Sequence, residues 1–60
     1  MCVVTQTIER IARELRATAG VLERNATVLA STDEAWAAEH LRTDAKMLRK
    51  YAKLLDGKDR

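Results

Sequence analysis

The chain has no proline and no phenylalanine, a single cysteine, a single histidine, two glycines, and only Trp36 and Tyr51 as aromatic side chains. Each scarcity excludes something. One cysteine cannot build a disulfide framework, and one cysteine with one histidine cannot supply a finger-type zinc site. Without phenylalanine, any core must be aliphatic. No apolar run approaches the roughly 18 residues of a membrane span, and the first residues show no basic region followed by an apolar one. At 60 residues the chain is expected to form one domain, 1–60, and a fold of that size buries only about 60% of its unfolded surface. Two-domain enzymes, Rossmann folds and barrels are therefore out of reach. The net charge of +2 is too small to imply a nucleic-acid partner by itself. The lone cysteine, Cys2, fits a reducing compartment, so a cytoplasmic location is expected.

What the chain does have is helix-forming material: alanine, leucine, arginine, glutamate and lysine with nothing to break them. Apolar residues recur every seven positions. Ile8, Leu15, Leu22 and Leu29 form one row, and Ala12, Ala19 and Ala26 a second; Ala38, Ala45, Ala52 and Leu41, Leu48, Leu55 repeat both rows later in the chain. With the alanines at heptad position a and the larger residues at d, each helix keeps one seam turned toward a neighbour. The spacing predicts helices over about 5–30 and 32–56, separated at Ala30-Ser31-Thr32-Asp33-Glu34. Ser31 and Glu34 fit a capping box. Asp33, Glu34 and Glu39 suit the positive end of the second helix, and Arg49, Lys50 and Lys53 its negative end. Thr5 or Thr7 is the expected cap of the first helix, and Gly57 the expected stop of the second, followed by a frayed tail. Gly20 is the one local objection, since a helix-interior glycine costs about 1 kcal/mol against alanine. A break at 17–20, giving three helices, is the alternative. A short link makes the two helices antiparallel.

Apolar residues extend past the a and d rows. Ile11 and Tyr51 stand at g, and Val21, Val28, Met47 and Leu54 at c, with His40 in the same row. A hairpin covers one stripe per helix, so this arc would face water. Burying four more leucine-sized side chains per chain contributes roughly 6–12 kcal/mol before association costs. The expected fold is thus an all-α antiparallel helical hairpin that dimerises into a four-helix bundle. Its interface would be built from Ile8, Ile11, Ala12, Leu15, Ala19, Leu22, Ala26, Leu29, Ala38, Leu41, Ala45, Leu48, Tyr51, Ala52 and Leu55. Asn25 and Thr18, on the boundary, are expected to set register.

Ala12, Arg13, Arg16, Leu22, Leu29, Ala35, Glu39, Leu41, Ala45, Leu48 and Gly57 together make a layout that resembles the Rop-type four-helix-bundle proteins, over nearly the whole chain. Hairpin length, alanine/leucine layering and the acidic start of the second helix carry the likeness. The resemblance implies the hairpin and its dimer. Rop-type proteins bind paired RNA loops through polar amides, a lysine and an aromatic on the first-helix pair. At the corresponding places this chain has Arg10, Glu14, Thr18 and Asn25, so that activity is not implied.

Exposed features suggest other contacts. Arg42, Lys46, Arg49, Lys50 and Lys53 form a basic ridge on the second helix, opposed only by Asp44 between Arg42 and Lys53. It reads either as a docking surface for phosphate or an acidic protein or as a solvated face whose cations complement the helix dipole. Trp36, in the first turn of the second helix, reads as a cover for the loop end over Val28 or Leu29, or as an anchor for a partner. His40 and Asp44 at i,i+4 could place two metal ligands on one face, but no third ligand stands near. Cys2 has no acid/base partner nearby in sequence. No catalytic residue, metal or cofactor is expected, and the chain is not expected to be an enzyme.

The expected role is a small regulatory or adaptor protein acting by protein–protein contact. Its size and alanine- and arginine-rich composition suit a phage or mobile-element regulator, an inhibitor or an antitoxin-like factor. The expected partners are a second copy and another protein, with no membrane. A dimer binding RNA or DNA through the basic ridge is the second reading, and a hairpin that completes its bundle with a different protein is the third.

Overall fold

The structure, a computed structural model, describes residues 3–58. Two helices account for nearly all of them: α1 (Val3–Leu29) and α2 (Ala35–Lys58), packed against each other as a hairpin about 49 Å long. The fold class is all-α, with no strand among the described residues. α1 runs unbroken through 17–20, so the three-helix alternative is not realised. Gly20 has an ordinary negative φ, and one unfavourable residue cannot interrupt a helix held by packing on both sides of it.

The helix ends differ from the sequence expectation in instructive ways. α1 starts before both threonines offered as caps, and the Thr7 hydroxyl donates back to the Val3 carbonyl at 3.0 Å. A threonine inside a helix can satisfy its hydroxyl this way, so its presence does not mark a start. α2 starts at Ala35, three residues after the expected position 32, and continues through Gly57 to Lys58. Gly57 keeps a negative φ and stays within the helix, so it is not the left-handed stop expected of it. Cys2 and the Asp59–Arg60 end of the expected tail lie outside the described residues.

The link between the helices closes without glycine and without any positive φ. Its backbone tightens into i→i+3 bonds, Ser31 N–H to the Val28 carbonyl (3.3 Å) and Thr32 N–H to the Leu29 carbonyl (2.9 Å). Both hydroxyls reinforce it: Ser31 Oγ donates to the Val28 carbonyl at 2.9 Å and Thr32 Oγ1 to the Leu29 carbonyl at 2.7 Å. The capping box expected of Ser31 and Glu34 is replaced. Thr32 Oγ1 also accepts the Glu34 N–H at 3.0 Å, so one threonine serves the carbonyl end of α1 and the amide end of α2. Ser31 is occupied by α1, its N–H and its hydroxyl both donating to the Val28 carbonyl, which has no partner within the helix.

The seam between the helices consists of alanine. Ala12, Ala19, Ala26, Ala38, Ala45 and Ala52 are 0–1% exposed, and no larger side chain is fully buried among the described residues. Small residues let the helices approach to the short end of the roughly 8–10 Å interaxial range. Thr5, one heptad before Ala12, is half-buried on the same row. The d-row residues Ile8, Leu15, Leu22, Leu29, Leu41, Leu48 and Leu55 are all half-buried, on one side of the seam.

Two substitutions check this packing. A Cβ added at Gly20 meets only the end of the Arg24 side chain, at 3.6 Å. Gly20→Ala should therefore raise stability by about 1 kcal/mol, read as a higher midpoint in urea melts followed by circular dichroism. Ala19→Leu should lower it by about 1–3 kcal/mol, because the larger side chain pushes the seam apart. An Ala19→Leu chain as stable as the parent would show that the seam is not closely packed.

Candidate functional site

The two flanks of the alanine seam have different chemistry. On one flank, the half-buried d row is continued by side chains left open to solvent: Ile11 (40% exposed), Val21, Met47, Tyr51, Leu54 (55%) and Val28 (66%). Val4, at g, joins them; sequence reasoning missed it because it precedes the start expected for the first helix, which begins earlier, at Val3. The polar groups on this side are few. Glu14 and Asp44 supply its only carboxylates, and positions c, d and g carry no arginine or lysine from Val4 to Leu54. Of the expected interface residues, the six alanines are closed within the hairpin itself. The seven d residues, Ile11 and Tyr51 line the open side.

The other flank holds the charges. Arg16 Nη2 bonds Asp56 Oδ2 across the helices, and Arg49 grips Glu23 with both guanidinium ends, Nη1 to Oε2 and Nη2 to Oε1, the latter at 2.6 Å. All four residues occupy e positions. A bidentate fork has a defined geometry as well as a charge, so it helps to set helix register. These pairings were not found from the sequence. The signal was the mixture of opposite charges along the two e rows (Glu9, Arg16, Glu23 and Arg42, Arg49, Asp56), but which residue meets which depends on axial register.

The basic ridge expected on α2 is divided by these contacts. Arg49 is engaged with Glu23, and Arg42 Nη1 lies 3.2 Å from Glu39 Oε1 one turn earlier. Lys46, Lys50 and Lys53 remain exposed, with no ion pair among the described residues. Trp36 is 64% exposed beside the link. Its indole Nε1–H donates to Glu34 Oε2 at 2.8 Å, and its ring meets the His40 ring edge-on with centroids 5.9 Å apart. The indole is thus held by Glu34 of the link and His40 of its own helix, and Val28 stays open beside the link. Among the described residues, no three His, Cys, Asp or Glu side chains gather into a metal-binding group, and no helix is long and apolar enough to cross a membrane. Compared with models of protein families, with curated proteins and with solved structures, the chain matches none.

The Glu23–Arg49 pair has a pH signature. Hydrogen bonds from Arg49, aided by its charge and opposed by desolvation, hold the Glu23 carboxyl below its ordinary 4.5, and the same bonds raise Arg49. The folded chain therefore binds the Glu23 proton more weakly than the unfolded chain. The resulting stabilisation is fully present above the unfolded value and is lost as pH falls through the lower, folded one. In urea melts taken from pH 7 to pH 3, the parent should lose more stability than Glu23→Gln. Parallel losses in the two proteins would show that this pair does not hold the helices.

Proposed function

We propose that the chain is a non-catalytic protein-contact module, and that the first protein it contacts is a second copy of itself. The observation that carries this reading is the hairpin's incomplete core. Among the described residues its only fully buried apolar side chains are six alanines, while seven Ile/Leu side chains lie half-buried in a row facing one side. Two helices joined at so narrow a seam cannot enclose these residues, and a third and fourth helix laid across them can.

The dimensions agree. A 27-residue helix is about 40 Å long, and two closely packed helices are about 18 Å across. One apolar face then offers about 700 Å², and two facing copies bury about 1,400 Å², inside the usual range for stable protein interfaces. Any partner could use such a face, but a twofold pairing needs only the patch already present on each chain. The layering of alanine against leucine that resembles the Rop-type bundles supports the same assembly.

In such a bundle Trp36 stands outside the paired faces. Glu34 and His40 limit its freedom before a partner arrives, which reduces the ordering cost of contact. That suits a regulatory or adaptor protein that joins another protein through the loop end of the bundle.

Light scattering across a tenfold dilution should return twice the 6.8 kDa chain mass. The melting temperature should rise with protein concentration, as linkage to dimerisation requires. Leu48→Glu should lower the mass to that of one chain and abolish cooperative melting. A parent chain of single mass with concentration-independent cooperative melting would overturn self-association. A single-mass, poorly folded parent would also overturn it and direct the search to a different protein.

A further inference from the structure

Every arginine and lysine from Arg10 to Lys53, nine in all, lies at heptad position b, e or f, on the side of the hairpin away from the apolar face. Four acids share those positions, and three of them, Glu23, Glu39 and Asp56, are already engaged by Arg49, Arg42 and Arg16. What remains is a cationic surface spanning both helices: Arg10, Arg13 and Arg24 on α1, and Lys46, Lys50 and Lys53 on α2. All six are exposed, and only Arg10 has an ion pair among the described residues, a loose one with Glu14 at 3.8 Å. The cross-helix pairs bring the two sets together. Arg13 stands one turn from Arg16 and Lys53 one turn from Asp56, so both flank the same ion pair.

We propose that this face binds the phosphodiester backbone of a nucleic-acid duplex without reading its sequence. Four features select that partner. The cations sit on rigid helices along a straight face, where they can displace condensed counterions from a regularly charged polymer. No aromatic stands among them, so the stacking platform that single strands require is missing. Nor is there an apolar anchor of the kind that carries most of the energy of a protein interface, which disfavours an acidic protein. An anionic membrane is disfavoured by sidedness: a hairpin inserting its apolar face would turn these cations away from the headgroups. The surface is complete on one hairpin, so it stands or falls independently of self-association.

The test is fluorescence anisotropy with labelled 30-base-pair duplexes of mixed sequence, one DNA and one RNA, over a salt series. Binding is expected at low salt to either duplex or both, with affinity falling as about the third to fifth power of salt concentration. Lys46→Glu with Lys50→Glu should weaken it about tenfold or more, and Arg13→Glu on the other helix should weaken it as well. Circular dichroism shows whether each variant remains helical, and Lys46→Gln with Lys50→Gln provides a milder pair without charge reversal, expected to weaken binding less. No binding at 50 mM salt, binding unaffected by helical variants, or displacement by poly-glutamate or anionic vesicles as readily as by unlabelled duplex would overturn the proposal.

Discussion

The rest of the structure depends on the close approach of two helices along a line of alanines. A methyl group at six of the seven a positions leaves no long side chain to hold the helices apart there, and those six residues are withdrawn from solvent. The same closeness has a cost. The leucines at d do not fit between helices packed so tightly and are displaced to one flank, where they remain half-exposed. Larger residues at a would bury more area within the hairpin and leave less for a partner. The narrow seam and the open apolar face are therefore two consequences of one choice of residue.

The opposite flank follows from the same geometry. In an antiparallel pair the e rows of both helices fall on the side away from the d rows, and here they carry arginines and acids that meet across the seam. These pairs are exposed, and exposed ion pairs add little stability individually. Their larger effect is on register, because an arginine fork on a carboxylate tolerates little sliding. Apolar surface thus lies on one side of the hairpin and cations on the other. In the proposed dimer, pairing through the first would leave the second open, with the Trp36 end outside both.

The link shows how much a few hydroxyls accomplish. Helix ends leave carbonyls and amides without partners, and this link, which has no positive φ, satisfies them without a left-handed turn. Ser31 and Thr32 take over the carbonyls of Val28 and Leu29, while Thr32 also receives the Glu34 amide. From sequence, Ser31 and Glu34 fit a capping box equally well. Local chemistry admitted both arrangements, and the closing of α1 selected between them.

Much of this molecule was legible in its residues alone. Helix identity, helix number, the place of the link and the a and d rows are properties of local propensity and of a seven-residue period, and neither needs knowledge of distant contacts. The breadth of the apolar arc was legible for the same reason. Tertiary packing decided the rest. The Arg16–Asp56 and Glu23–Arg49 partners lie 40 and 26 residues apart, so their pairing depends on how far one helix slides along the other. That in turn determines which cations of the expected ridge are neutralised and which join those of α1 in a common surface. Periodicity assigns a residue to a face of its own helix; only the packed hairpin brings two such faces together.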